Sequence, residues 1–378
     1  MTLSIIVPTY KEVENIPFLV ERIAKVLDPA QWSVELLLMD DDSRDGSDEL
    51  VGRMGLPWVK LVTRTSNRGL SPAVLDGLRR ATGEYLVVMD ADLSHPPEVV
   101  PKLIDELERG ADFVLGSRYV SGGTTDDDWG LFRWANSRVA TLLARPLTHL
   151  KDPMSGFFAL RRETFMAGHD YNPIGYKIAL ELIVKCGCVK QVEIPIHFAD
   201  RQLGESKLTF KEQLKYIQHV RRLMIYKYGT WSHLVQFLTV GGLGAVINVV
   251  IITAMTRLGY SEHLSVAIGI LISFVCNFVL NRRFTFSYAR ADSIIRQLVG
   301  FTSACAVGAL INYSVTVSLY SPEGPIRSLQ LAAVVGILAG ALINFAFNRY
   351  FVFKFKHVRP KSADRPASEL QNQRSKFK

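Results

Sequence analysis

The chain has 378 residues, a formal net charge of +8 and a sequence pI near 9.2. That length exceeds one typical domain, and the basic residues gather beside long uncharged stretches and in the carboxyl-terminal tail, which excludes nucleic acid and fits a membrane surface or an anionic ligand. The four cysteines exclude a disulfide framework: Cys186 and Cys188 stand too close for an ordinary bridge, Cys276 and Cys305 lie in apolar stretches, and a reducing compartment is expected.

The amino-terminal MTLSIIVPTYKE has no basic leader and turns polar after Val7, against a signal peptide. Leu3 to Val7 reads as a buried strand that Pro8 ends, and Glu14 to Val26 carries helical periodicity. Val34 to Met39 is a second strand, running into the acidic turn Asp40, Asp41, Asp42, Ser43, Arg44, Asp45 and Gly46. That turn is either a capping loop or one wall of a cleft at the strand ends. Leu61 to Thr63, Leu70 to Ala81 and Leu86 to Met89 continue the alternation, which implies right-handed crossovers and a mostly parallel sheet.

The apolar run Leu86 to Met89 meets Asp90, Ala91 and Asp92, and His95 with Pro96 and Pro97 stops it. In extended backbone, residues two apart point the same way, so both carboxylates are expected to face one cleft beyond the strand end. Side by side they repel, and a hard divalent cation, Mg²⁺ or Mn²⁺, would relieve that while sharing a substrate's phosphates. The bland alternative is a pair of turn and helix caps.

Glu98 to Arg109 reads as a helix and Phe113 to Leu115 as a strand leading to Gly116, Ser117, Arg118 and Tyr119. Trp129 to Arg138 interleaves aromatic and basic residues in the manner of a membrane interface. DPMSGF, from Asp152 to Phe157, is a turn entering another strand, and Ile178 to Cys186 is a buried helix. Gln191 to Pro195 leads to Arg201 and GESKL, Gly204 to Leu208, where an Arg and a Lys suit a diphosphate. From Phe210 the apolar positions Leu214, Ile217, Val220, Leu223 and Met224 oppose Lys211, Lys215, Arg221 and Arg222, a basic amphipathic helix expected to lie in the headgroup plane.

Four uncharged runs follow, Leu234 to Thr256, Leu264 to Asn281, Gln297 to Pro322 and Ser328 to Asn348, each long enough to cross a bilayer core of ~30 Å. They repeat as hairpins. Gly244 to Asn248 (GAVIN) matches Gly308 to Asn312 (GALIN), and NFVLNRRFTF from Asn277 matches NFAFNRYFVF from Asn344. Arg282, Arg283, Arg290 and Arg296 flank one loop, and Arg349, Lys354, Lys356 and Arg359 follow the last span. Both termini and the first domain are therefore expected in the cytoplasm of a multi-pass cell-membrane protein. The asparagines within the spans are expected to face other helices. The expected domains are 1–208, an α/β unit; 209–229, the interfacial helix; 230–357, four transmembrane helices; and 358–378, a disordered basic tail.

VPTYKE (Val7 to Glu12), MDDDSRDGS (Met39 to Ser47), MDADLSHPPE (Met89 to Glu98), GSRYV (Gly116 to Val120) and R-x-x-GESKL (Arg201 to Leu208) occur in this order. Together they resemble the dolichyl-phosphate mannose synthases of glycosyltransferase family 2, which have a GT-A fold. The membrane half is similar to a GtrA-type four-helix domain. The resemblance implies an enzyme that passes mannose from GDP-mannose to dolichyl or polyprenyl phosphate, with Mg²⁺ or Mn²⁺ as cofactor and membrane lipids as partners. It implies a nucleoside pocket of Pro8, Tyr10, Glu12, Met39 and Asp41, and a diphosphate and metal site of Asp90, Ala91 and Asp92. Arg118, Arg201 and Lys207 would surround phosphates and mannose, and Arg118, Arg133 and Ser137 the lipid phosphate. Asp92, Arg118 and Arg133 would carry the catalysis. Lys11 stands where the family usually has Asn, Asp42 where it has Gly, and Ser94 where several members have Gln as a further metal ligand. UDP-glucose as donor, and glycolipid flipping by the membrane half, are the rival readings.

Overall fold

A computed structural model describes residues 1–27, 32–125, 131–175, 177–198, 210–320 and 324–354. It separates into two units, Met1–Tyr228 and Gly229–Lys378. The first contains β1 (Thr2–Thr9), α1 (Ile16–Val26), β2 (Ser33–Asp40), α2 (Ser47–Met54), β3 (Val59–Thr63), α3 (Leu70–Arg80), β4 (Tyr85–Val88), α4 (Val100–Glu108), β5 (Phe113–Ser117), β6 (Thr124–Thr125), α5 (Leu131–Ala144), β7 (Phe158–Arg161), α6 (Arg162–Ala167), α7 (Ile178–Lys185), β8 (Gln191–Pro195), β9 (His197–Phe198) and α8 (Phe210–Tyr228).

Seven strands form one sheet in the order β3-β2-β1-β4-β7-β5-β8, and β6 pairs with β9 in a short ribbon. Every pairing in the large sheet is parallel except those of β7, which runs antiparallel to β4 and β5. The central strands are apolar on both faces because helices cover both. Leu3, Ile5, Val7 and Val87 pack with α1 and α4, while Ile6, Leu37, Leu86 and Val88 pack with α3 and α7. From β1 the chain winds outward to β2 and β3, then returns to place β4 on the other side of β1. The reversal leaves a crevice at the carboxyl ends of β1 and β4, where an open α/β sheet receives its ligand.

Helix α8 divides its apolar surface. Tyr216, Val220 and Leu223 are buried against Ala144, Leu147 and Leu180, whereas Leu214 and Ile217 are exposed. The helix is thus docked on the α/β unit along one side, a face the periodicity alone had assigned to headgroups. At its centre His219 and Glu181 of α7 are both fully buried, with Nε2 and Oε2 at 2.8 Å. The Asn172 amide donates to the other Glu181 oxygen at 2.8 Å, and Arg222 lies 3.6 Å away.

The second unit contains α9 (Thr230–Arg257), α10 (Glu262–Leu280), α11 (Ile294–Tyr320) and α12 (Leu329–Phe347), all long and apolar enough to cross a membrane. The duplication seen in the sequence recurs in its packing. Phe237 of α9 meets Phe345 of α12 at 5.6 Å between ring centroids, and their repeat mates Phe301 and Phe278 meet at 5.5 Å. Phe286 and Phe353, equivalent in the two repeats, stack on each other at 4.7 Å. Asn281 and Asn348 open matching π-helical turns, each donating its side-chain amide to the carbonyl four residues back at 2.9 Å. A Cβ on Gly244 would fall 2.3 Å from the Asn277 amide, and one on Gly308 would fall 3.0 Å from Asn344 Cβ. Small residues therefore let each hairpin close around an asparagine.

The Glu181 cluster gives a stability test. Burial pushes the carboxyl upward, but the His219 hydrogen bond, the Asn172 amide and the Arg222 charge outweigh it and hold the pKa below the ordinary value. Its stabilisation is complete above the unfolded pKa of ~4.3 and disappears as pH falls through the lower folded value. Glu181→Ala is expected to cost about 3 kcal/mol at neutral pH, the low end for a broken buried pair because Arg222 is one-third exposed. It should also remove part of the acid sensitivity. Thermal unfolding across pH, followed by circular dichroism, checks both.

Candidate active site

β4 stops at Val88, so Asp90 and Asp92 lie in a loop rather than on the strand. Strand parity does not aim them. Instead Leu93 takes a left-handed φ of 62°, an uncommon conformation for a bulky residue and a mark of local strain. The turn carries Ser94 back onto Asp92, whose Oδ1 accepts from the Ser94 amide at 3.1 Å and hydroxyl at 2.5 Å. Asp92 is 8% exposed, while the Asp90 side chain is 27% exposed. The Asp90 amide donates to His95 Nδ1 at 3.0 Å, so that nitrogen carries no proton in this arrangement. His95 is buried with its ring stacked on Phe157 at 5.3 Å.

The donor set fits Mg²⁺ or Mn²⁺. Two carboxylates from one loop are hard oxygen ligands, and a Cβ built on Gly156 would lie 3.5 Å from both Asp90 oxygens, so glycine leaves the space beside that carboxylate open. Among the described residues no group of three or more His, Cys, Asp or Glu converges as a metal cage. An ion that draws its remaining ligands from water and substrate phosphates needs no such cage. Ser94, the expected extra ligand, has its hydroxyl committed to Asp92 here.

Where the resemblance places a nucleoside pocket, the acidic turn after β2 is largely occupied internally. Asp40 accepts from the Ser43 amide at 2.9 Å and from Thr9 at 3.3 Å. Asp41 pairs with buried Arg64 and accepts from the Gly69 amide at 2.6 Å. Asp42 faces Arg44 and Arg68. Tyr10 is exposed beside the strand end, Pro8 lies inside β1 paired with Met39, because the strand expected to end there runs on to Thr9, and Glu12 accepts from Asn15 at 2.6 Å. Met39 is fully buried with Ile6 and Leu37 against α3, a packing residue under the crevice, and Ala91 is buried as well. Lys11 and Asp42 have φ of 60° and 54°. Asn and Gly tolerate that left-handed region best, which explains the types the resemblance expects there.

Arg118 follows β5. Its Nε and Nη2 both reach Asp152 at 2.9 Å, and its amide donates to Asp152 Oδ2 at 3.1 Å. Burial alone would lower its pKa, but the Asp152 hydrogen bond and charge raise it. Asp152 is in turn held through its amide by Glu193 of β8 at 2.9 Å. Tyr119, its phenol pushed up by burial, reaches Ser137 of α5 at 2.9 Å. Arg133 belongs to α5, but its side chain lies outside the description, and Arg201 and Lys207 lie outside the described residues, as does the tail from 355 onward.

The family model described as Glycosyl transferase family 2 matches residues 4–168, and that for the GtrA/DPMS transmembrane domain matches residues 236–353. A dolichol-phosphate mannosyltransferase from Pyrococcus furiosus is 38% identical over 355 residues, spanning 93% of this chain and 99% of the relative. The chain belongs to the dolichol-phosphate mannosyltransferase family. The Saccharomyces cerevisiae relative of that name is 43% identical over 246 residues, 62% of this chain and 91% of its own length. A polyprenol monophosphomannose synthase from Mycolicibacterium smegmatis is 37% identical over 54% of this chain and 80% of its own. The protein is therefore a glycosyltransferase with a GT-A catalytic unit and a multi-pass membrane unit.

Within this glycosyltransferase, Asp90, Asp92 and Ser94 share one loop, and Arg118, Tyr119 and Ser137 share another part of the surface. Sequence reasoning gave no role to Asp152, Gly156, His95 or Arg64. An Asp before Pro reads as a turn, and only the fold reveals that it clamps an arginine.

The two left-handed positions supply a second test. Lys11→Asn should raise stability by about 0.5–1 kcal/mol by easing the backbone at φ 60°. A shift of the chemical-denaturation midpoint at constant slope is the measurement.

Proposed function

We propose that this glycosyltransferase moves mannose from GDP-mannose to a dolichyl or polyprenyl phosphate with inversion at the anomeric carbon. The observation that carries the reading is the 38% identity to a dolichol-phosphate mannosyltransferase across both units of the chain. The strand-end carboxylates support it, because a nucleoside diphosphate leaving group needs a divalent cation more than it needs a general acid. When bound, the ion supplies positive charge to the departing diphosphate.

The acceptor phosphate is already mostly ionised near neutral pH, with a second pKa of ~6, so the nucleophile needs no strong base. The chain's work is to bring two anions together and align them. Asp92, fixed by Ser94, and Asp90 hold the ion. Arg118, oriented by Asp152, acts with Arg133 to offset repulsion between donor and acceptor phosphates. Arg201 and Lys207 complete the phosphate contacts. A single in-line displacement turns an α-linked nucleotide sugar into a β-linked lipid phosphate. The basic residues Arg282, Arg283, Arg290 and Arg349 at the span ends support a cytoplasmic catalytic unit.

A panel of labelled nucleotide sugars with polyprenyl phosphate tests the reading. GDP-mannose should label the lipid with a β-linkage readable by NMR, EDTA should stop the reaction, and Mg²⁺ or Mn²⁺ should restore it. Asp92→Ala should lower transfer by at least ~10²-fold. Labelling by UDP-glucose in place of GDP-mannose would overturn the donor, and undiminished turnover in EDTA the metal.

A further inference from the structure

Phe198, at the end of β9, joins two parts of the site that the sheet keeps apart. Asp90 follows β4 and Arg118 follows β5, and β7 lies between those strands. The Phe198 ring has the Arg118 guanidinium over it at 5.1 Å. His95 meets the same ring at 5.5 Å with an interplanar angle of 65°. Arg118 also lies over Tyr119 at 5.3 Å, and His95 lies on Phe157 at 5.3 Å. The result is one column, Tyr119, Arg118, Phe198, His95 and Phe157. It is tied at one end to Ser137 through the Tyr119 hydroxyl and near the other to the Asp90 backbone through His95 Nδ1.

Each contact suits its partners. A guanidinium over an aromatic face is attracted by the ring's quadrupole, and an edge-on pair of rings is a favoured aromatic geometry. The β6–β9 ribbon fixes the Phe198 backbone, pairing Thr125 with Phe198. Asp152 holds Arg118 from its edge, so the ring and the carboxylate together define both the plane and the rotation of the guanidinium.

We propose that Phe198 is a positioning residue that holds Arg118 and the Asp90 loop in fixed relation, so that the guanidinium and the metal-binding carboxylates form one preassembled unit. The inference rests on the reading of Asp90 and Asp92 as the metal site. A residue that only fills space would tolerate another apolar side chain of similar size with no change in metal affinity. A positioning residue would not, because a displacement of ~1 Å in such a site lowers turnover by ~10²-fold.

The test uses the full chain in detergent with five proteins: wild type, Phe198→Leu, Phe198→Tyr, His95→Asn and the double variant Phe198→Leu with His95→Asn. Asn keeps an acceptor for the Asp90 amide but removes the ring that meets Phe198. Three quantities are measured: GDP binding in EDTA, Mn²⁺ affinity with GDP bound, and kcat for transfer per GDP-binding site. Phe198→Leu and His95→Asn should leave GDP binding within ~2-fold, weaken Mn²⁺ by ~10-fold and lower kcat by ~10–100-fold. Phe198→Tyr, which keeps the face, should stay within ~3-fold of wild type in all three. The double variant Phe198→Leu with His95→Asn should lose little more than either single one, as expected of groups acting as a unit. Wild-type Mn²⁺ affinity in Phe198→Leu overturns the inference, as does an equal loss in Phe198→Tyr or a fully multiplicative double variant. Wild type that binds no Mn²⁺ defeats the metal-site reading itself, and wild type that binds Mn²⁺ without transferring mannose defeats only the proposed reaction. If Phe198→Leu fails to bind GDP, the comparison of Phe198→Tyr with His95→Asn decides the matter alone.

Discussion

Two carboxylates stand two residues apart on one loop, and the hydrogen bonds and packing around that loop hold it in a single conformation. β4 is buried on both faces and stops at Val88, which leaves the acidic residues at the crevice made by the reversal of strand order. A left-handed Leu93 turns the chain so that Ser94 grips Asp92, and His95 accepts the amide of Asp90. The loop is thus built around its own charge. Strain at Leu93 is tolerated because neighbouring hydrogen bonds and the buried His95 over-determine the conformation.

The same logic governs the cationic side of the site. Arg118 is not a mobile charge waiting for a phosphate: Asp152 binds it in a fork, Glu193 holds the backbone of Asp152, and two rings flank the guanidinium. A planar guanidinium fixed in this way loses little freedom when it meets a ligand, which is the advantage of preorganisation over flexible attraction. The acidic turn after β2 follows suit, with Asp40 and Asp41 occupied by Ser43 and Arg64.

In the membrane unit, duplication substitutes for a varied core. One set of contacts, phenylalanine against phenylalanine and glycine against asparagine, is used twice, and the equivalent rings Phe286 and Phe353 meet each other. In lipid, apolar surface alone does not drive helices together, so close backbone approach and side-chain amide bonds carry the specificity. The amides of Asn281 and Asn348, costly if they faced lipid, are spent on carbonyls within their own helices.

The alternation of strands and helices, the four spans, their repeat and the acidic loop after the fourth strand were legible in the sequence, because each depends on local periodicity or on a change of composition over tens of residues. Tertiary structure alone decided that α8 docks along Tyr216, Val220 and Leu223, that Met39 packs beneath the crevice, and that Asp152, Gly156, His95 and Phe198 surround the site. It also decided that Asp90 and Asp92 are aimed by a turn and not by strand parity. The physical reason is range. Hydrophobic pattern is written along the chain, whereas the partner of a charge or a ring comes from whichever strand end the topology brings beside it.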